Sequence, residues 1–329
     1  MATLQPIVSS RAIRVPRAAL YRVIAAPILK ALVVTALVAV ITFILGKLVL
    51  GDPGRAVLGT AASQQSVDAF NANLGLDDPF PVQFAHYFGG LLHGDLGTSY
   101  AYPGTPVWSL VWPALQVSAS VAILTVIVSV LLSIPLGVLA AQRKRGVVDY
   151  LVRGASLVAL SIPWAFAGLV LIIVVAVKAE VLPAGGWGTG PMSNLRFLVL
   201  PVGTLTINLC PVFVRAVRER AAVVLDEPHV EAALARGVPK VWVVINHVVP
   251  NCIGPLLTLI GSNFGALLGG AAIVDVVFGL PGLGKALTSA AATSDLPVMQ
   301  AVALLAGIFV TLANVFAEIA QRLLDPRLR

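Results

Sequence analysis

Residues 31–46 read ALVVTALVAVITFILG. No charge interrupts them, and ten are Leu, Val, Ile or Phe. At about −0.3 to −0.6 kcal/mol each, those ten favour insertion into a bilayer by roughly 3–6 kcal/mol, which one charge at the centre would nearly cancel. Lys30 and Lys47 stand at the two ends, where long side chains can reach the interface. The run begins too late and runs too long for a cleavable signal, and no small-x-small site follows it, so it reads as a retained membrane span.

The rest of the chain has the same character. Of its 329 residues 58% are hydrophobic and 11% charged, with a mean hydropathy of +0.94. Soluble domains carry roughly 25% charged residues, so this chain cannot cover a water-facing surface. Apolar runs of spanning length fall at 31–50, 114–141, 151–178, 197–214, 251–274 and 298–321. The sequence therefore predicts an all-α integral membrane protein with six transmembrane helices. Cys210 and Cys252 lie in or beside apolar runs and read as free, packed thiols. His86, His93, His229 and His247 show no metal-ligand spacing, and no metal site is expected.

Six spans leave both termini on one side, and the basic residues say which. The N-terminal tail, the segments after the second and fourth spans, and the C-terminal tail hold 17 Lys and Arg; the opposite side holds 5. The excess places both termini and residues 215–250 in the cytoplasm. It also accounts for the net charge of +7 without nucleic acid, which is not an expected partner.

In chain order, 1–29 is a basic cytoplasmic tail, 30–50 the first span, 51–113 an external loop or cap, and 114–329 a five-helix core. The loop is acidic, with Asp52, Asp68, Asp77, Asp78 and Asp95 against Arg55. Its aromatics, from Phe70 to Trp108, predict a partly folded cap near the membrane surface. Pro135, Pro163, Pro201 and Pro211 fall inside spans and predict kinks. Ser262 and Asn263 make the fifth span the least apolar. Gly261, Gly265 and Gly269 add a small-residue ridge for close packing. Intramembrane polar groups face protein or a cavity, so Asn208, Ser262 and Asn263 are candidates for a translocation pathway.

Gly279–Ala286, GLPGLGKA, comes close to a phosphate-binding loop, but Ala286 stands where a magnesium-binding hydroxyl is needed, and no strand precedes it. It reads as a tight external turn shaped by Pro281, Gly282 and Gly284. Glu318 and Arg322 are spaced to pair near the cytoplasmic end of the last span. No nucleophile stands with an activating partner, so no catalytic residues and no enzyme are expected.

One polar stretch breaks the pattern on the cytoplasmic side: DEPHVEAALARGVPKVWVVINHVVP at 226–250. Asp226 is a candidate cap and Pro228 suits a first helical turn. Val230, Ala233 and Leu234 recur at helical spacing, Gly237 permits a left-handed stop, and Pro239 delays a restart. A second apolar face follows in Val241, Trp242, Ile245, Val248 and Val249. The prediction is a short helix, a turn and a second short helix. The first, at about 15 Å, is too short to span a bilayer.

Within that stretch Glu231-Ala232-Ala233, with Gly237 four residues on and Pro250 beyond, resembles the EAA loop of ABC-importer permeases. GDP at 51–53, LGLDDP at 74–79, GDLGTS at 94–99, SIPWAFAGLVLI at 161–172, VLPAGG at 181–186, LVLPVGTL at 198–205, GGAAIVDVVFGLPGLGKAL at 269–287 and LLDPRLR at 323–329 are similar to the dipeptide/oligopeptide/nickel permease family, in its B-type transmembrane subunit. The matches extend over nearly the whole chain from about residue 30.

The resemblance implies a type I ABC-importer permease of the MetI-like fold, in a bacterial or archaeal inner membrane. It implies a second homologous permease subunit, two ATPase domains or subunits carrying ATP and magnesium, and an external substrate-binding protein, with no cofactor on this chain. The EAA loop becomes the coupling helix. Pro228, His229, Val230, Glu231, Ala232, Ala233, Arg236 and Gly237 are then the ATPase-coupling residues. Pro281, Gly282 and Gly284 lie near the binding protein. The implied cargo is a peptide, with a nickel chelate or another small solute as the alternative. A stand-alone secondary transporter is a reading of a different class. The chain departs from the family at Pro228 and His229, where an acidic–aromatic pair is usual, at Asp275, where Glu is common, and at Ser294, where Arg is common.

Overall fold

The computed structural model describes residues 17–50, 53–59 and 61–324. The first part of the basic tail, Gly51 and Asp52 of the GDP stretch, and the terminal DPRLR lie outside the described residues.

The long helices are α1 (Arg17–Leu50), α5 (Val107–Gln142), α8 (Pro191–Leu225), α11 (Val249–Val277) and α13 (Leu296–Leu324). The shorter ones are α2 (Pro53–Leu58), α3 (Gln64–Asn73), α4 (Phe80–Leu92), α6 (Val147–Ser161), α7 (Trp164–Leu171), α9 (Pro228–Ala235), α10 (Lys240–Val243) and α12 (Leu283–Ala292). Five described segments are long and apolar enough to cross a membrane: Ala25–Gly46, Val107–Gln142, Ser193–Leu225, Lys240–Val277 and Leu296–Arg322. A sixth is obtained when Val147–Ser161 and Trp164–Lys178 are counted as one bent pair. Large exposed apolar side chains crowd α1 and the outer faces of α5 and α6, as a lipid-facing surface requires.

The third apolar run is therefore not one straight span. It bends by 102° between α6 and α7. Ile162 is extended, at φ −86° and ψ 121°, as the residue before Pro163 must be, and Pro163 has no N–H to continue the ladder. By contrast α5 runs on through Pro135, and α8 through Pro201 and Pro211. The Trp164 ring fills the notch left by Gly270, where a Cβ would come within 2.7 Å of it.

Close packing of α5 on α8 forms the centre of the core. The buried face of α5 carries small groups: Ser118, Ala122, Thr125, Ser129, Ser133 and Gly137. A Cβ on Gly137 would stand 2.7 Å from Val217. Phe213, Leu205 and Val217 of α8 fill the space this leaves, with Val121 and Val138 around them. Two of the three glycines of the ridge expected on α11 pack against a neighbour. A Cβ on Gly261 would meet Ala317 at 3.0 Å and one on Gly265 would meet Val310 at 3.5 Å, whereas Gly269 faces open space.

Between α1 and α5, helices α2–α4 form a folded cap. Phe43 of α1 anchors it with ring centroids 5.4 Å from Phe80 and 5.5 Å from Phe84. Loop 94–106 is tied to the start of α13 by Asp295, which accepts the Ser99 hydroxyl and the Tyr100 and Ala101 N–H groups.

Candidate functional site

The polar stretch folds as a short helix, a turn and an arm. Glu227 is extended, at φ −74° and ψ 140°, because a proline follows it, and Pro228 opens α9. Asp226 is not the cap expected of it. It closes α8 instead and ion-pairs with Lys144 at the end of α5. At the other end Gly237 takes φ +80°. Its N–H reaches the Leu234 carbonyl at 3.0 Å, and the Val238 N–H reaches that of Ala233 at 3.2 Å. These two bonds form a Schellman ending, which a left-handed glycine permits.

Val230 is completely buried and Ala233 packs against the same core. Pro228, His229, Glu231, Arg236 and Gly237 are exposed, and Ala232 is half-buried. Lys240–Val243 then passes through a π-helical turn, Val244–Val248, directly into α11, so the arm and the span are one element. The arm buries Val243 and Val248; of the apolar face expected at Val241, Trp242, Ile245, Val248 and Val249, the first three residues are exposed. The helical phase turns them outward, and the π-helical turn lies within the same segment.

Two histidines bring α9 and the arm into contact. His229 lies 3.3 Å from Glu227 and sets its ring edge-on to His247 at 5.5 Å, while His247 meets Trp242 at 5.5 Å. His229 thus joins α9 to the arm, a physical reason for the departure at that position. The signal was the spacing of Trp242 and His247 on the arm, legible only once α9 is known to fold back onto it.

Asn208 of α8 and Asn263 of α11 line one cavity of about 210 Å³ with Leu160, Trp164 and Leu267. Asn263 Nδ2 donates to the Leu259 carbonyl at 2.8 Å. Asn208 Nδ2 is buried without a hydrogen-bond partner among the described residues. Ser262 does not line this cavity. It is exposed, and its hydroxyl donates back to Leu259 at 3.2 Å while accepting from Asn263 at 3.3 Å.

Of the predicted external turn, Pro281 is exposed, whereas Gly282 and Gly284 are buried. Gly284 lies directly against the Ala272 carbonyl and Gly282 against Asp275 and Ser118, leaving no room for a Cβ on either. The buried Asp275 carboxylate accepts from Ser118 at 2.7 Å and from the Gly284 N–H at 3.2 Å, and Ser118 accepts the Leu283 N–H at 2.8 Å. The Leu283 and Gly284 N–H groups, two of those a phosphate would need, are already taken, so GLPGLGKA is a packing element. VLPAGG joins the same knot through the Gly186 N–H and the Phe278 carbonyl, at 2.8 Å.

The comparisons with known proteins agree with this architecture. Residues 133–329 match the family described as "Binding-protein-dependent transport system inner membrane component", and residues 20–131 match its N-terminal companion. A probable peptide ABC transporter permease of Sinorhizobium fredii, y4tP, is 34% identical over 300 residues, covering 90% of this chain and 95% of that protein. The oligopeptide transport system permease AppB of Bacillus subtilis is 30% identical, over 88% and 94% of the two chains. The nickel import system permease NikB of Staphylococcus aureus is 31% identical, over 92% and 90%. These are transport subunits, not enzymes. Two family models over nearly the whole chain and full-length relatives place this multi-pass membrane protein in the oligopeptide/nickel ABC-importer permease family.

Proposed function

We propose that this chain carries peptides across a bacterial or archaeal inner membrane by alternating access, with both termini in the cytoplasm. It would act beside a second homologous permease, two ATPase subunits that bind ATP and magnesium, and an external binding protein. The observation that carries the reading is the continuity of the coupling element. An exposed polar face at Pro228, His229, Glu231 and Arg236 is anchored by Val230, closed by Gly237, and joined through an unbroken arm to α11. A push on α9 reaches α11, which supplies Asn263 to the cavity shared with Asn208. Those two asparagines are the proposed pathway contacts, with Ser262 supporting Asn263 from the exposed face.

Two variants test the coupling. Glu231→Arg changes the exposed face, and Gly237→Pro forbids the left-handed stop. Both should abolish transport and weaken co-purification of the ATPase subunits while membrane insertion stays normal; normal transport by both would defeat the reading. Nickel-chelate cargo is the second reading, favoured by the NikB relative at 31% identity. Titrating the cognate binding protein with short peptides and with nickel chelates decides between the two.

A further inference from the structure

A second cavity, of about 270 Å³, lies between α6 and α8, lined by Arg153, Leu160, Pro211, Arg215, Arg218 and Glu219, among others. Leu160 also lines the cavity of Asn208 and Asn263, so the two spaces share a wall. The register of both helices extends that link. Asp149, Arg153 and Leu160 fall on one face of α6, and Asn208, Arg215 and Glu219 on one face of α8. The charges of the second cavity do not balance. Arg218 is held by the Asp149 carboxylate at 2.7 Å. Arg215 pairs with Glu219 one turn on, at 3.0 Å, and both are exposed. Such exposed pairs are weak and give way to a better-placed anion. Arg153 is exposed and makes no hydrogen bond or ion pair among the described residues. One positive charge is left over at the end of a space that begins at two amides.

We propose that this cavity receives a carboxylate of the cargo as the cargo leaves Asn208 and Asn263, an assignment that rests on the pathway reading of those two residues. Arg153 and Arg215 bind the carboxylate, each offering paired N–H donors that match its two oxygens. Arg218, clamped on Asp149, is a fixed neighbour that keeps α6 and α8 at the spacing the site needs. A peptide and a metal chelate both carry such a group, so the site serves either cargo. Lipid fits the lining less well. An acyl chain following the same line ends on the two amides, and Asn208 Nδ2 is buried there without a partner among the described residues. The ATPase contact proposed above lies on α9, and every residue lining this cavity belongs to α6 or α8.

The test uses proteoliposomes holding the full complex, with its binding protein saturated by a short peptide or by the same peptide amidated at its C-terminus. Arg153→Gln/Arg215→Gln should lower uptake of the free acid by about ten-fold and of the amide by less than about two-fold. Arg143→Gln/Arg145→Gln, with the same loss of charge outside the cavity, should change neither. An equal loss for both peptides, or no loss, overturns the assignment. So does loss of the second permease from the Arg153→Gln/Arg215→Gln complex, which would make the arginines a subunit contact. Asn208→Leu separates this idea from the one beneath it. If it leaves uptake of both peptides unchanged, the pathway reading fails. If it lowers both while the arginine variant keeps the wild-type ratio of acid to amide, the carboxylate site alone fails. A peptide with a diazirine beside its terminal carboxylate gives a check without substitutions. Crosslinks to 153–160 and 211–219 of the nucleotide-free wild-type complex support the site; crosslinks confined to other segments overturn it.

Discussion

Arg218 of α8 grips Asp149 of α6 with both arms of its guanidinium, Nη2 to Oδ2 at 2.7 Å and Nε to Oδ1 at 3.0 Å. The carboxylate is 1% exposed and also accepts the Arg145 N–H at 3.2 Å, so one acid holds the α5–α6 turn and fastens α6 to α8. Removing one partner of a buried pair strands the other. Asp149→Ala should therefore lower stability by about 3 kcal/mol, read as an earlier thermal unfolding of the purified complex. Adding Arg218→Ala should cost less than the sum of the two single changes, because the stranded charge is gone.

Asp295 gathers three donors from loop 94–106 although it lies on the far side of the sequence. Asp295→Ala should free that loop and make it the first site of limited proteolysis, with a loss of about 2 kcal/mol. Tyr100 adds a pH signature. Burial, and then the charge of Asp295, push its phenol from 10.0 up to about 12. A group whose pKa is raised by folding contributes stability below its unfolded value that is lost as pH rises. An extra alkaline destabilisation is expected between about 10 and 12, and Tyr100→Phe should remove it in unfolding curves.

At Gly137, α5 packs directly against Val217 of α8. Gly137→Leu has no rotamer that avoids Val217 and should push the helices apart, at about 1–3 kcal/mol. The same substitution at Gly269, which faces open space, should leave stability of the isolated chain within about 0.5 kcal/mol. Thermal unfolding of both variants in detergent separates them.

Asn208 Nδ2 is buried, without a hydrogen-bond partner among the described residues, beside the cavity that Asn208 shares with Asn263. Asn208→Leu removes that cost and fills the space. If the cavity is part of the pathway, transport should fall by at least ten-fold in proteoliposomes while thermal stability holds or rises. Unchanged transport would remove Asn208 from the path.

Much of the bundle was legible because its causes are local. Insertion depends on the summed hydropathy of neighbouring residues, which marks 31–46 as a span by composition alone. The end of α9 was legible for the same reason, since a glycine at a helix end needs no distant partner to turn left-handed. Asp226 misled because capping is decided by where the preceding helix stops, and α8 ran on to Leu225 to place that acid on Lys144.

The sequence by itself determined the medium, most of the helices, the topology expected from its charges, and the position of the turn at Gly237, since hydropathy, charge and turn chemistry act over a few residues. Tertiary structure decided which polar groups meet. Ser118 and Asp275 stand 157 residues apart in sequence, Ser99 and Asp295 196 apart, and each pair forms because packing removes both groups from water at once. It also decided the 102° break at Pro163, the shared cavity of Asn208 and Asn263, and the burial of Gly282 and Gly284 in a turn expected at the surface. No local pattern encodes these, because each depends on how closely two distant helices can approach.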